Sequence, residues 1–117
     1  MDTMKYLLLI CDEGEPIEDG CDPRPWVDEM EARGVRKFGD RVRPASDATT
    51  VRVRDGELLV TDGPFAETKE QMAGFDVIEC TDLDEAVEVA AKHPMARFGM
   101  IEVRPFWPLE FAGSDRA

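Results

Sequence analysis

Residues 5–11, KYLLLIC, are apolar at almost every position. A run of strand length without alternation predicts a strand covered on both faces. Residues 12–22, DEGEPIEDGCD, are a polar loop. A short helix follows, with Pro25 in its first turn, Trp26, Val27 and Met30 as one apolar stripe, and Gly34 at the position just past its end. VRKF (35–38) predicts a second strand, and GDRVRPASDA (39–48) is irregular. TTVRVRDGELLV (49–60) reads as a β-hairpin, because β-branched residues alternate with Arg52 and Arg54 and Asp55-Gly56 is a two-residue turn signal. GFDVIEC (74–80) is the next strand. The helix over 81–94 carries Leu83, Ala86, Val87, Ala90 and Ala91 at helical spacing, Thr81 and Asp84 as a capping box, and Pro94 as its stop. MIEVR (100–104) is the last strand, and the prolines of PFWPLEF keep that tail out of a sheet interior.

The order β, α, β, hairpin, β, α, β is an α+β pattern: a ferredoxin-like split βαβ sandwich with an inserted β-hairpin. Both helices then cover one sheet face. The other face needs burial too, and a second copy of the chain is the simplest cover. A homodimer with a cleft between facing sheets is therefore expected.

At 117 residues the chain is one domain, 1–117, with 1–3 and 109–117 expected as flexible termini. Hydrophobic residues at 43% are enough for a core and argue against disorder. The apolar run YLLLIC is too short to span a bilayer and no signal-peptide pattern opens the chain, so a cytoplasmic protein without membrane contact is expected. A net charge of −12 disfavours nucleic acid. The charge is uneven: residues 12–31 carry nine carboxylates and one Arg, whereas 33–54 carry seven basic side chains and two Asp. Such a basic band, Arg43 included, suits a small anion or the acidic segment of the same or a second chain, although solvated strand faces explain it more readily. Cys11, Cys21 and Cys80 are an odd set without metal spacing, which fits free thiols.

GxGxxG, GxxxxGK[ST] and GxSxG do not occur, and no cofactor or metal is expected. His93, the one histidine, stands at a helix end, where a cation complements the dipole; that structural role outweighs a catalytic one. The chemistry-bearing stretch is VTDGPFAETKEQMAGF (60–75). Gly63 and Pro64 stiffen the turn after Asp62, Phe65 anchors it, and Ala66 to Gln71 are good helix formers for a turn or two. Residue types alone favour a rigid crossover. The same rigidity also suits acid/base chemistry by Asp62 with Lys69 or Glu67, beside a ligand lined by Thr61, Gly63, Phe65, Phe75 and Arg43.

The run from ATTVRVRDGELLVTDGPF to AAKHP, with MKYLLLI before it and IEVRP after it, resembles the DGPF-domain branch of the YCII-related family. Asp62, Gly63, Pro64, Phe65, Glu67 and Lys69 match the branch motif, and Phe75 matches its aromatic position. The resemblance implies a dimeric α+β barrel. It implies no single reaction: many members are encoded beside extracytoplasmic-function sigma factors, and a few wider relatives are small-molecule enzymes such as a muconolactone dehalogenase. The wider group carries a His on the first helix, proposed to work with an Asp; here Trp26-Val27 follow Arg24-Pro25, so that mechanism does not carry over. The resulting expectation is a homodimer that binds a small polar or anionic metabolite near 61–75, with cofactor-independent acid/base catalysis of lyase, isomerase or hydrolase type by Asp62. The alternative is a non-enzymatic regulatory module that meets a transcription-factor partner.

Overall fold

In the computed structural model, described over residues 2–13, 21–64 and 70–109, β1 (Met4–Asp12) lies at the centre of an antiparallel sheet. Its near-continuous apolar run is resolved into two faces: Tyr6, Leu8 and Ile10 are buried, while Leu7, Leu9 and Cys11 are half-buried. β5 (Gln71–Cys80) pairs with one edge of β1 and β6 (Met100–Pro105) with the other, and β2 (Arg36–Arg41) pairs with the far edge of β5. The strand order β2-β5-β1-β6, all antiparallel, is compatible with the ferredoxin-like arrangement expected from the sequence.

α1 (Arg24–Ala32) connects β1 to β2, and α2 (Leu83–Ala91) connects β5 to a short α3 (Met95–Phe98) that leads into β6. The apolar stripe of α1 buries Trp26 and Met30, and that of α2 buries Ala86, Val89 and Ala90. These join Tyr6, Leu8 and Ile78 in one core. The Trp26 indole N–H donates to the Val89 carbonyl at 2.9 Å, so burying the ring leaves no orphaned donor and ties α1 to α2. Gly34 takes φ 74° just past α1, the left-handed angle expected there.

The inserted hairpin is β3 (Thr49–Arg54) and β4 (Glu57–Asp62), a separate two-stranded sheet. Asp55 and Gly56 both have positive φ, 52° and 79°, as the primed turn demands. Val51 stands opposite Val60 and Val53 opposite Leu58, which makes one face of the ribbon apolar and exposed.

The local departures have physical causes. β2 runs on through Gly39, Asp40 and Arg41, held by pairing with β5 where sequence alone gave an irregular segment. β5 starts at Gln71, so the helical tendency expected over 66–71 yields to ladder pairing at its last residue. α2 is capped one residue later than predicted: Asp82 accepts from the Glu85 N–H at 2.9 Å, and Glu85 Oε1 accepts from the Thr81 N–H at 2.7 Å. Pro94 stops α2 and also opens α3, where its fixed φ suits a first turn. Residues 14–20 of the acidic loop, Met1 and residues 110–117 lie outside the described residues. Among those described, no helix is long and apolar enough to cross a membrane.

Candidate functional site

β5 alternates strictly, and the phase that buries Ile78 and Cys80 also buries Asp76 at 6% exposure. A carboxylate on a core face requires a partner. Arg36 supplies it: its Nε donates to Asp76 Oδ1 at 2.7 Å, and its Nη1 donates to Glu31 Oε2 at 2.8 Å. One guanidinium thus joins β2, β5 and the last turn of α1.

Two backbone features make this possible. The β2–β5 register slips between Arg36 and Phe38, so Arg36 stands opposite Ile78 and Gly39 opposite Asp76 on the same, helix-facing side. Gly39 then leaves room for the carboxylate, since a Cβ there would sit 2.1 Å from Asp76 Oδ1 and 2.6 Å from the Phe75 carbonyl oxygen. Gly39→Ala is therefore expected to cost about 1–3 kcal/mol, measured by urea denaturation, because neither the carboxylate nor the backbone has room to retreat.

The pair opens onto a cavity of about 760 Å³ between α1 and the β2–β5 edge. That volume suits a small metabolite. Arg24, Arg36 and Arg41 line it together with Asp22, Asp40 and Asp76; Ile10, Val27 and Met95 give it apolar walls. Asp22 and Arg24 already form an exposed ion pair at 2.9 Å. A second bulge, between Ile10 and Cys11, leaves Ala73 out of the β1–β5 register and places it on the cavity wall.

His93 also lines this cavity and is only 4% exposed. Its Nδ1 accepts from the Met95 N–H at 3.0 Å, and Trp26 meets its ring edge-on with centroids 4.7 Å apart. Burial first, and the nearby Arg36 charge second, push its pKa down from 6.5 to about 4. His93 is thus a neutral cavity wall, which corrects the expectation of a helix-capping cation. Burial raises the Asp76 carboxyl above the usual carboxylate range, with the Arg36 hydrogen bond and charge opposing. Burial likewise raises the Cys21 thiol, whose Sγ lies 3.2 Å from the Met95 sulfur.

Among the described residues expected from sequence, Phe75 lies apart from the turn at Thr61, Asp62 and Gly63. Phe75 is on the cavity wall. Thr61 and Asp62 end β4 and are exposed. Gly63, at φ 93°, donates its N–H to the Ala48 carbonyl at 2.7 Å, and its own carbonyl accepts from Thr50 Oγ1 at 2.8 Å, so this turn is stitched to the start of β3. Arg43 is exposed and bonded to Asp47 at 3.0 Å. Phe65, Glu67 and Lys69 lie outside the described residues. Among the described residues, no group of three His, Cys, Asp or Glu is placed to hold a metal ion.

With this architecture, the YCII-related domain matches residues 4–110, nearly the whole chain. The chain belongs to the YCII-related family. It is also 49% identical over 67 residues to an uncharacterized protein of Rhizobium meliloti (strain 1021), a match covering 56% of this chain and 54% of that protein. The chain spans about half the length of the curated relative it matches. Within this YCII-related fold, Arg36, Gly39 and Asp76 are the site residues that sequence reading passed over, and His93 is the one it read as structural. One signal for them was available, since Asp76 is in phase with Ile78 and Cys80 in GFDVIEC, and a carboxylate on a core face marks a special position.

Proposed function

We propose that this YCII-related protein binds a small polar or anionic metabolite in the cavity between α1 and the β2–β5 edge, and that it works as a homodimer. The observation that carries the reading is the buried Arg36–Asp76 pair opening onto that cavity beside a neutral His93. A buried ion pair contributes little net stability compared with apolar packing, so its presence at a cavity points to ligand recognition. Asp62, with Glu67 and Lys69, is the second candidate location, as a general acid or base at the motif turn.

The test is a metabolite-library thermal shift followed by calorimetric titration of the best hit into wild type, Val27→Phe and Asp62→Asn. A ligand that binds only the folded protein raises its melting temperature by mass action. Val27→Phe fills the cavity and is expected to weaken binding tenfold or more, with Asp62→Asn near wild type. The reverse pattern would move the site to the turn.

The dimer rests on the sheet face away from the helices. Leu7, Leu9, Phe75 and Val77 lie half-buried there, and Phe38, 60% exposed, packs on Phe75 with centroids 5.6 Å apart. Equilibrium ultracentrifugation is expected to give about twice the 13.1 kDa chain mass at micromolar concentration. A monomer would remove the dimer and leave this face to another partner. The exposed apolar hairpin face supports the alternative of a regulatory interaction module, which gains weight if the library yields no hit.

A further inference from the structure

His93 is the buried polar group whose role packing does not exhaust. Because Nδ1 accepts the Met95 N–H, the neutral ring carries its proton on Nε2. No partner among the described residues takes Nε2, and none of the sealed side-chain nitrogens or oxygens described lacks a partner. Nε2 is therefore not sealed, and the ring that carries it lines the cavity. Arg36 is arranged in the same way. Its Nε and Nη1 are spent on Asp76 and Glu31, while Nη2 makes no ion pair among the described residues. Its side chain is 12% exposed, so the remaining donors are fixed in direction.

We propose that the cavity takes a small carboxylate whose oxygens are shared between Arg36 Nη2 and the Nε2–H of His93, with the imidazole staying neutral in the complex. This rests on the metabolite-binding reading and names its ligand class. Chemistry explains why both donors are needed. Arg36 is already shared between Asp76 and Glu31, so the guanidinium alone meets a ligand anion with its charge fully offset. A neutral donor held beside it adds a hydrogen bond to an ionised acceptor without adding a buried charge. Protonating His93 would turn Nδ1 into a donor facing the Met95 N–H and place a second cation next to Arg36, so the geometry holds the ring neutral. The other charged groups on the wall are Asp22 and Arg24 at the start of α1, Asp40 and Arg41 of β2, and Asp76 of β5. They carry both signs, whereas the Nε2–H is an uncharged donor.

His93 is the one histidine in the chain, so its ring signals in a ¹⁵N-labelled sample assign themselves. The experiment titrates pyruvate, as the carboxylate probe, into the full chain at neutral pH and follows ring nitrogens and backbone amides together. The expected result is a ring with Nδ1 unprotonated throughout and an Nε2–H signal that moves in step with the amides of Gly74 and Asp76. His93→Phe, which keeps an aromatic edge against Trp26, is expected to weaken pyruvate at least tenfold, as loss of a bond to a charged acceptor does. His93→Gln, whose amide nitrogen stands near the Nε2 position, is expected to recover much of it. Amides that move while the ring stays still, or equal affinity in His93→Phe, would overturn the proposal and leave the metabolite cavity standing. The absence of any shift up to tens of millimolar would overturn the carboxylate assignment, with the cavity itself judged by the library screen.

Discussion

Arg36→Met is expected to destabilise the protein by about 3–5 kcal/mol at neutral pH, a large share of the roughly 5–15 kcal/mol that holds a small domain together. The loss comes from what remains behind. Asp76, 6% exposed, would keep its charge in a site that hydrates it poorly, having lost the ion pair that Arg36 makes to it. Glu31, with its side chain 53% exposed, returns to water at little cost. Two further results separate this cause from lost packing. The deficit is expected to shrink as pH falls, because Asp76 already titrates above the ordinary carboxylate range and gains a proton early. Arg36→Met combined with Asp76→Leu is expected to regain most of the stability, since an apolar pair needs no compensation. Urea denaturation of the three variants measures all of this, and a single-variant loss below about 1 kcal/mol would show that the pair is solvated.

The second large effect is acid lability through His93. Its folded pKa of about 4 lies below the 6.5 of an unperturbed imidazole, so in that interval the unfolded chain binds the proton more tightly than the native one. The stability that His93 contributes is complete above pH 6.5 and drains away as pH falls toward 4. Two and a half units correspond to about 3 kcal/mol. Asp76 works in the opposite sense, because its raised carboxyl favours the protonated native state. Comparison with His93→Gln isolates the histidine: between pH 6.5 and 4 the wild type is expected to lose about 3 kcal/mol more than the variant. Parallel pH profiles would mean that the imidazole is hydrated in the native state.

Much of the scaffold was legible because periodicity reports burial. The runs Lys5 to Cys11 and Leu83 to Ala91 show their strand and helix directly, and Asp55-Gly56 shows its turn. The site was less legible for two reasons. Arg36 reaches the helix face through a register slip at the β2–β5 pairing, and a bulge depends on partner strands that are distant in sequence. His93 sits after a helix in a place that reads as an exposed cap; its burial comes from Trp26 across the core, some 67 residues earlier in the chain. The motif is densest at Asp62, Gly63 and Pro64, and the hydrogen bonds of that turn explain much of its rigidity. Asp76, which shares the same strand as Phe75, carried the clearer physical anomaly.

The most direct discrimination between the cavity and the motif turn is amide chemical-shift mapping of the best thermal-shift hit on the labelled full chain. Occupancy of the cavity predicts perturbations clustered at Gly39, Ala73, Gly74, Phe75 and Asp76 and at the start of α1. Perturbations centred on Thr61, Asp62 and Gly63, with Gly39 and Asp76 unmoved, would place the ligand at the turn and leave the Arg36–Asp76–His93 cluster without a part in binding it.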